Sequence, residues 1–104
     1  MAFRIDTNMG LPDSGSYRGE IKEAACSCWF TSKGSATPRM LKYVDEEGII
    51  RTLQNITVLQ EEQKYYNGIS TREYRCETEI EGICYPFVLL FRPENCTWSV
   101  SFGK

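Results

Sequence analysis

Cys26 and Cys28 stand one residue apart and are the closest pair of potential metal or redox ligands in the 104-residue chain. On a strand both thiols would leave from one face and could share a metal, whereas on a helix they would diverge. A closed structural zinc site needs four ligands. Only Cys84 is left to help the pair, because the strand registers derived below commit Cys76 and Cys96 to an apolar face. The thiols are therefore expected to serve as small buried hydrophobes without a metal. Histidine is absent, which removes Ser–His and Cys–His nucleophile pairs and every His-containing zinc site. Carboxylates can act in pairs. Here, however, Glu77, Glu79 and Glu81 alternate along one segment and Asp45, Glu46 and Glu47 crowd one turn, the pattern of a solvated surface. Gly48, Gly68 and Gly82 fall singly at turns and build no phosphate cradle. No catalytic residue and no cofactor are expected.

Two other groups of residues suit binding better than catalysis. Tyr65 and Tyr66, beside Lys64 and Arg72 near the Asn67-Gly68 tip, form an aromatic–basic cluster of the kind that stacks bases in single-strand binders. Against that use, one tyrosine is expected to pack inward, and the net charge of −2 lacks the basic excess that phosphate contacts favour. Val88 and Leu90 lie opposite the inferred core face and must be covered, either by the segment around Trp29 or by a partner. The first of these covers is favoured.

The elements that would position these residues read as strands. Glu81-Gly82 suits a two-residue hairpin turn. It pairs Ile80 with Ile83, Thr78 with Tyr85, Cys76 with Phe87 and Tyr74 with Leu89, and so gathers the apolar side chains on one face. Glu79 with Cys84, Glu77 with Pro86, Arg75 with Val88 and Glu73 with Leu90 make up the other face. A slip of one residue would destroy the match. Pro86 falls where its missing N–H faces away from this partner, so it should disturb pairing on the strand's other side. A tight return through residues 92–95 would pair Phe91 with Cys96, Leu89 with Trp98 and Phe87 with Val100. At Asn67-Gly68 an extra bulged residue is expected to set Val58 opposite Thr78, while a thin stripe over 59–66 leaves a helix open there. Residues 39–44 and 49–53 flank a loop ending in Gly48, and the apolar phase then jumps, which places a bend at Gln54-Asn55. Residues 21–30 carry helical spacing, but Trp29, Phe30 and Thr31 favour a strand, and the strand is preferred.

Composition agrees with a globular chain: 41% of residues are hydrophobic and 25% charged, which argues against wholesale disorder. The first residues lack the apolar stretch of a secretory signal, and no run is long enough to span a bilayer. Reduced thiols and a cytoplasmic location are the resulting expectation. Taken together, the residues predict an all-β fold in which a single small antiparallel meander of about six strands curls into a barrel or strongly bent sheet. One short N-terminal helix could accompany it. Residues 1–16 are expected to form a loosely ordered leader and 17–104 the domain. The expected role is a non-catalytic protein-binding or self-assembly module, partnered by another protein or by a copy of itself. A small barrel binding single-stranded nucleic acid is the alternative.

Overall fold

The computed structural model describes Gly15 and residues 20–34 and 36–102. Among them are seven strands and no helix: β1 (Lys22–Phe30), β2 (Ala36–Val44), β3 (Ile50–Leu53), β4 (Thr57–Tyr66), β5 (Ile69–Ile80), β6 (Ile83–Arg92) and β7 (Thr97–Ser101). All join one antiparallel sheet in the order β3-β2-β1-β7-β6-β5-β4. Two meanders, β1 to β3 and β4 to β7, are thus fused where β1 sets Lys22 to Ala24 against Trp98 to Val100.

The expected barrel does not close. β3 and β4 are the two edges of the sheet. They are joined by a short bend in which Asn55 takes a φ of 56°, and the Thr78 hydroxyl donates to the Gln54 carbonyl at 2.7 Å. Among the described residues β1 pairs with β7 only over Lys22–Ala24, and at its far end the Phe30 ring lies 6.2 Å from that of Phe91 on β6.

The helix considered for residues 21–30 is absent. β1 alternates half-buried and exposed side chains from Lys22 to Trp29, because pairing on both flanks rewards a period of two over the helical spacing of the alanines. The helix considered for 59–66 is likewise replaced by β4.

The β5–β6 hairpin has the expected register throughout, from Ile80↔Ile83 to Glu73↔Leu90. Two other registers differ. β6 and β7 pair Phe91 with Trp98 and Leu89 with Val100, a shift of two residues, because Arg92 stays in the strand and residues 93–96 form the turn, with Cys96 at a φ of 56°. An even shift keeps every side chain on its face. At Asn67-Gly68 the turn is a plain two-residue one, with φ of 53° and 79° and Tyr66 opposite Ile69. The extra residue sits at Leu59 inside β4, which sets Val58 opposite Cys76. A bulge was needed to bring β4's apolar residues inward, and it lies in the strand instead of the turn.

The core lies on one face of the sheet. Tyr74, Leu89, Phe87, Phe91, Trp98 and Val100 are buried together with Leu41, Leu53 and Cys76. Each such side chain contributes roughly 1.5–3 kcal/mol by leaving water. The Phe91 and Trp98 rings lie 4.6 Å apart and Tyr74 lies 5.9 Å from Trp98.

Candidate functional site

The β5–β6 hairpin outruns its neighbours. Among the described residues β4 pairs with β5 only as far as Glu77, and β7 pairs with β6 only from Val88 onward. The far end of the hairpin therefore projects as a two-stranded arm whose residues 79–86 are all exposed. Pro86, on the β7 side of the arm, offers no N–H to a neighbour there. On the inner face the arm carries Ile80, Ile83 and Tyr85, which are 44%, 56% and 45% exposed. The strip continues into Phe102, whose ring lies 6.1 Å from Phe87 and 4.9 Å from Tyr43. On the outer face Glu77 and Glu79, with Glu81 at the turn, line a groove of about 460 Å³ together with Asn55, Thr57 and Cys84. The arm is apolar on one side and acidic on the other.

The β2–β3 loop adds to this acidic end, starting two residues beyond Tyr43. Asp45 organises it: one carboxylate oxygen accepts from the Glu47 and Ile49 backbone N–H groups, each at 2.9 Å, and the other accepts from Arg51 at 2.7 Å. These contacts, led by the Ile49 N–H, hold the Asp45 pKa below its ordinary value. Glu47, Glu77, Glu79 and Glu81 have no ion-pair partner among the described residues.

The β1–β2 turn offers a second exposed surface. Trp29 is 65% exposed beneath the Arg39 guanidinium, which lies 5.6 Å from the ring. Phe30, beside it, is also exposed. Lys33 stands in the turn, and neither Lys33 nor Arg39 has an ion-pair partner among the described residues. Phe30 packs on Phe91, eight residues along β6 from Ile83, a strand length of about 26 Å. This basic, aromatic surface and the acidic arm thus occupy opposite ends of the molecule.

The residues singled out from the sequence are placed differently. Leu90 is 0% exposed and Val88 is half-buried, so they form a covered strip and not a docking surface. The buried row includes Glu73 and Ser99, which flank Leu90 across the sheet. Trp29, the expected cover, is among the more exposed aromatic residues instead. Lys64 and Arg72 are engaged by carboxylates: Lys64 lies 3.4 Å from Glu73, and Arg72 lies 2.9 Å from Glu61. Tyr65 is buried, and the Tyr66 hydroxyl donates to Glu73 at 2.6 Å. The aromatic–basic cluster therefore presents no set of unpaired cations and open rings.

The thiols divide by burial. Cys26, Cys28 and Cys76 face the core cluster, whereas Cys84 and Cys96 are exposed, and all five are free. Burial pushes the Cys26 and Cys76 thiols up to about 12, with Cys28 adding to the effect on Cys26 and Cys26 to that on Cys76. Such groups stay protonated and unreactive near neutrality. No group of three or more Cys, Asp or Glu among the described residues is placed to hold a metal.

Sequence reasoning missed the projecting arm although its signals were present. Pro86 on the β7 side and the apolar Ile80–Ile83 pair at the turn are the features that could have marked it. Comparison of the chain with protein-family models, with curated proteins and with solved structures finds no match in any of the three.

Proposed function

We propose that the chain is a non-catalytic binding module that engages a protein partner, or a second copy of itself, through the projecting β5–β6 arm. The observation behind this reading is the set of exposed inner-face side chains Ile80, Ile83 and Tyr85 on the arm, with exposed Phe102 beside Phe87 and half-buried Tyr43 at its base. Single exposed apolar side chains are ordinary; a connected strip at the end of a hairpin marks an interaction surface. A two-stranded arm also gains little stability alone, and a docked partner supplies the missing layer. The free thiols suit a reducing, cytoplasmic setting. The single-stranded nucleic-acid reading loses the cluster it rested on, because Lys64 and Arg72 are held in ion pairs and Tyr65 is buried.

Photo-crosslinking tests the proposal in the cells that make the protein. A benzoylphenylalanine placed at Tyr85 is expected to yield a discrete protein adduct, either to another protein or to the chain itself. The same group at Thr52, exposed on β3, is expected to yield none. Equal labelling from both positions, or no adduct from Tyr85, overturns the reading.

A further inference from the structure

We infer that the occupant of the arm is a second copy of this chain, bound head to tail, with the acidic β5–β6 arm of one copy seated on the basic Trp29–Phe30 end of the next. This rests on the binding-module reading and specifies its partner. The two ends are complementary in both terms that decide such contacts. The arm presents Ile80, Ile83 and Tyr85 on its inner face, with Glu79 on its outer face and Glu81 at its tip. The opposite end presents Trp29 and Phe30 beside Lys33 and Arg39. None of these four charges is neutralised by an ion pair among the described residues, so each is free to meet an opposite charge on another molecule. Trp, Tyr and Arg are the side chains that most often dominate interfaces, and each occurs here at an exposed end. Like ends repel, because two arms would bring Glu79 and Glu81 against their own copies, and this disfavours a symmetric arm-to-arm dimer. Unlike ends attract. A contact between two different patches is heterologous, so copies add into open chains or close into a ring and do not stop at an isologous dimer.

Sedimentation velocity tests the inference with two charge-reversed proteins. The wild-type chain is expected to form species larger than a dimer as concentration rises, and to shed them between about 0.05 M and 0.5 M salt as the charges are screened. Lys33→Glu/Arg39→Glu makes both ends acidic, and Glu79→Lys/Glu81→Lys makes both ends basic. Each is expected to weaken self-association about tenfold or more. Mixed in equal amounts, the two reversed proteins regain complementary ends and are expected to co-assemble. All four substitutions fall on exposed residues, and an unchanged far-ultraviolet β spectrum verifies folding. Assembly that survives both reversals overturns the head-to-tail inference while leaving self-assembly through another surface. A wild-type chain that stays monomeric at every concentration overturns the inference and self-assembly together. In that case a Tyr85 crosslink to a different protein still upholds the binding-module reading.

Discussion

Removing a hydroxyl from the centre of the core is expected to stabilise this protein. Tyr74 is fully buried, and its hydroxyl has no hydrogen-bond partner among the described residues. The Arg72 guanidinium stands near enough to act on the phenol electrostatically, but it is held by Glu61 at 2.9 Å and does not complete a hydrogen bond to the ring oxygen. An unmatched buried polar group costs about 1–3 kcal/mol relative to its hydrated state in the unfolded chain. Tyr74→Phe removes that cost, keeps the ring against Trp98, and gives up only a few dispersion contacts of the oxygen. The expected net gain is about 1 kcal/mol. With a urea slope near 1.5 kcal/mol per molar, the unfolding midpoint rises by about 0.7 M. A second signature follows from proton linkage. Burial pushes the Tyr74 pKa up from 10.0 to about 12. The neutral phenol is therefore favoured by folding, and the stability it confers is intact below pH 10 and lost as the pH rises toward 12. The advantage of the Phe variant over wild type should widen across that interval. A variant less stable by about 1 kcal/mol or more, or one whose alkaline unfolding limb overlays the wild type, would refute the reasoning.

Four further outcomes follow from the same geometry. Leu89→Ala, at a fully buried position, is expected to lower stability by about 3 kcal/mol through lost burial and a residual cavity, read by the same urea titration. Native thiol titration with Ellman's reagent near pH 8 should show Cys84 and Cys96 reacting fast, Cys26 and Cys28 more slowly, and Cys76 only at the rate of unfolding, since these last three face the core; thiol mapping by mass spectrometry assigns the phases. Glu81 takes a φ of 51° ahead of Gly82, a conformation that asparagine tolerates better; Glu81→Asn should raise stability by about 0.5–1 kcal/mol in thermal unfolding. The Asp45 carboxyl should titrate below 3.8, and its contribution to the β2–β3 hairpin is present above the ordinary carboxylate range and lost as the pH falls through the lowered pKa. The Glu47 and Ile49 amide shifts, followed by NMR through an acid titration, report it directly.

The legible part of the fold lay where local and cross-strand rules agree. Glu81-Gly82 and the alternation on either side of it determine a register that a one-residue slip would ruin, and the β5–β6 ladder has that register pair for pair. The β6–β7 return was legible only to its face, because alternation cannot distinguish registers that differ by two. The bulge was legible as a necessity but not as a position. Nothing in the residues around Asn67-Gly68 separates an extra turn residue from one at Leu59, since both bring Val58 inward. Barrel closure depended on whether β3 and β4 meet, and that is a matter of how far the whole sheet bends. The site was the least legible. The pairing of Val88 and Leu90 with charged and hydroxyl-bearing neighbours identifies the outer face but not whether that face is covered. Conversely, an Ile80–Ile83 pair looks like core until the neighbouring strands are seen to stop short of it.

An open sheet usually risks pairing through its free backbone edges, and this one discourages that at each edge. β3 is only four residues long. β4 is longer, but it carries Glu61, Glu62 and Lys64 and is broken by the bulge at Leu59. The free side of the projecting arm carries Pro86, which has no N–H to offer. Short length, charge, bulges and proline are the features that keep sheet edges from adding further strands. Among the described residues no comparable protection is placed over the two ends, where Ile80, Ile83 and Tyr85 on one side and Trp29 and Phe30 on the other are exposed. The head-to-tail contact proposed above would accordingly be driven by side chains at the ends and not by backbone at the edges. Such a contact is abolished by reversing charges at either end, whereas strand addition along β3 or β4 would be indifferent to those substitutions.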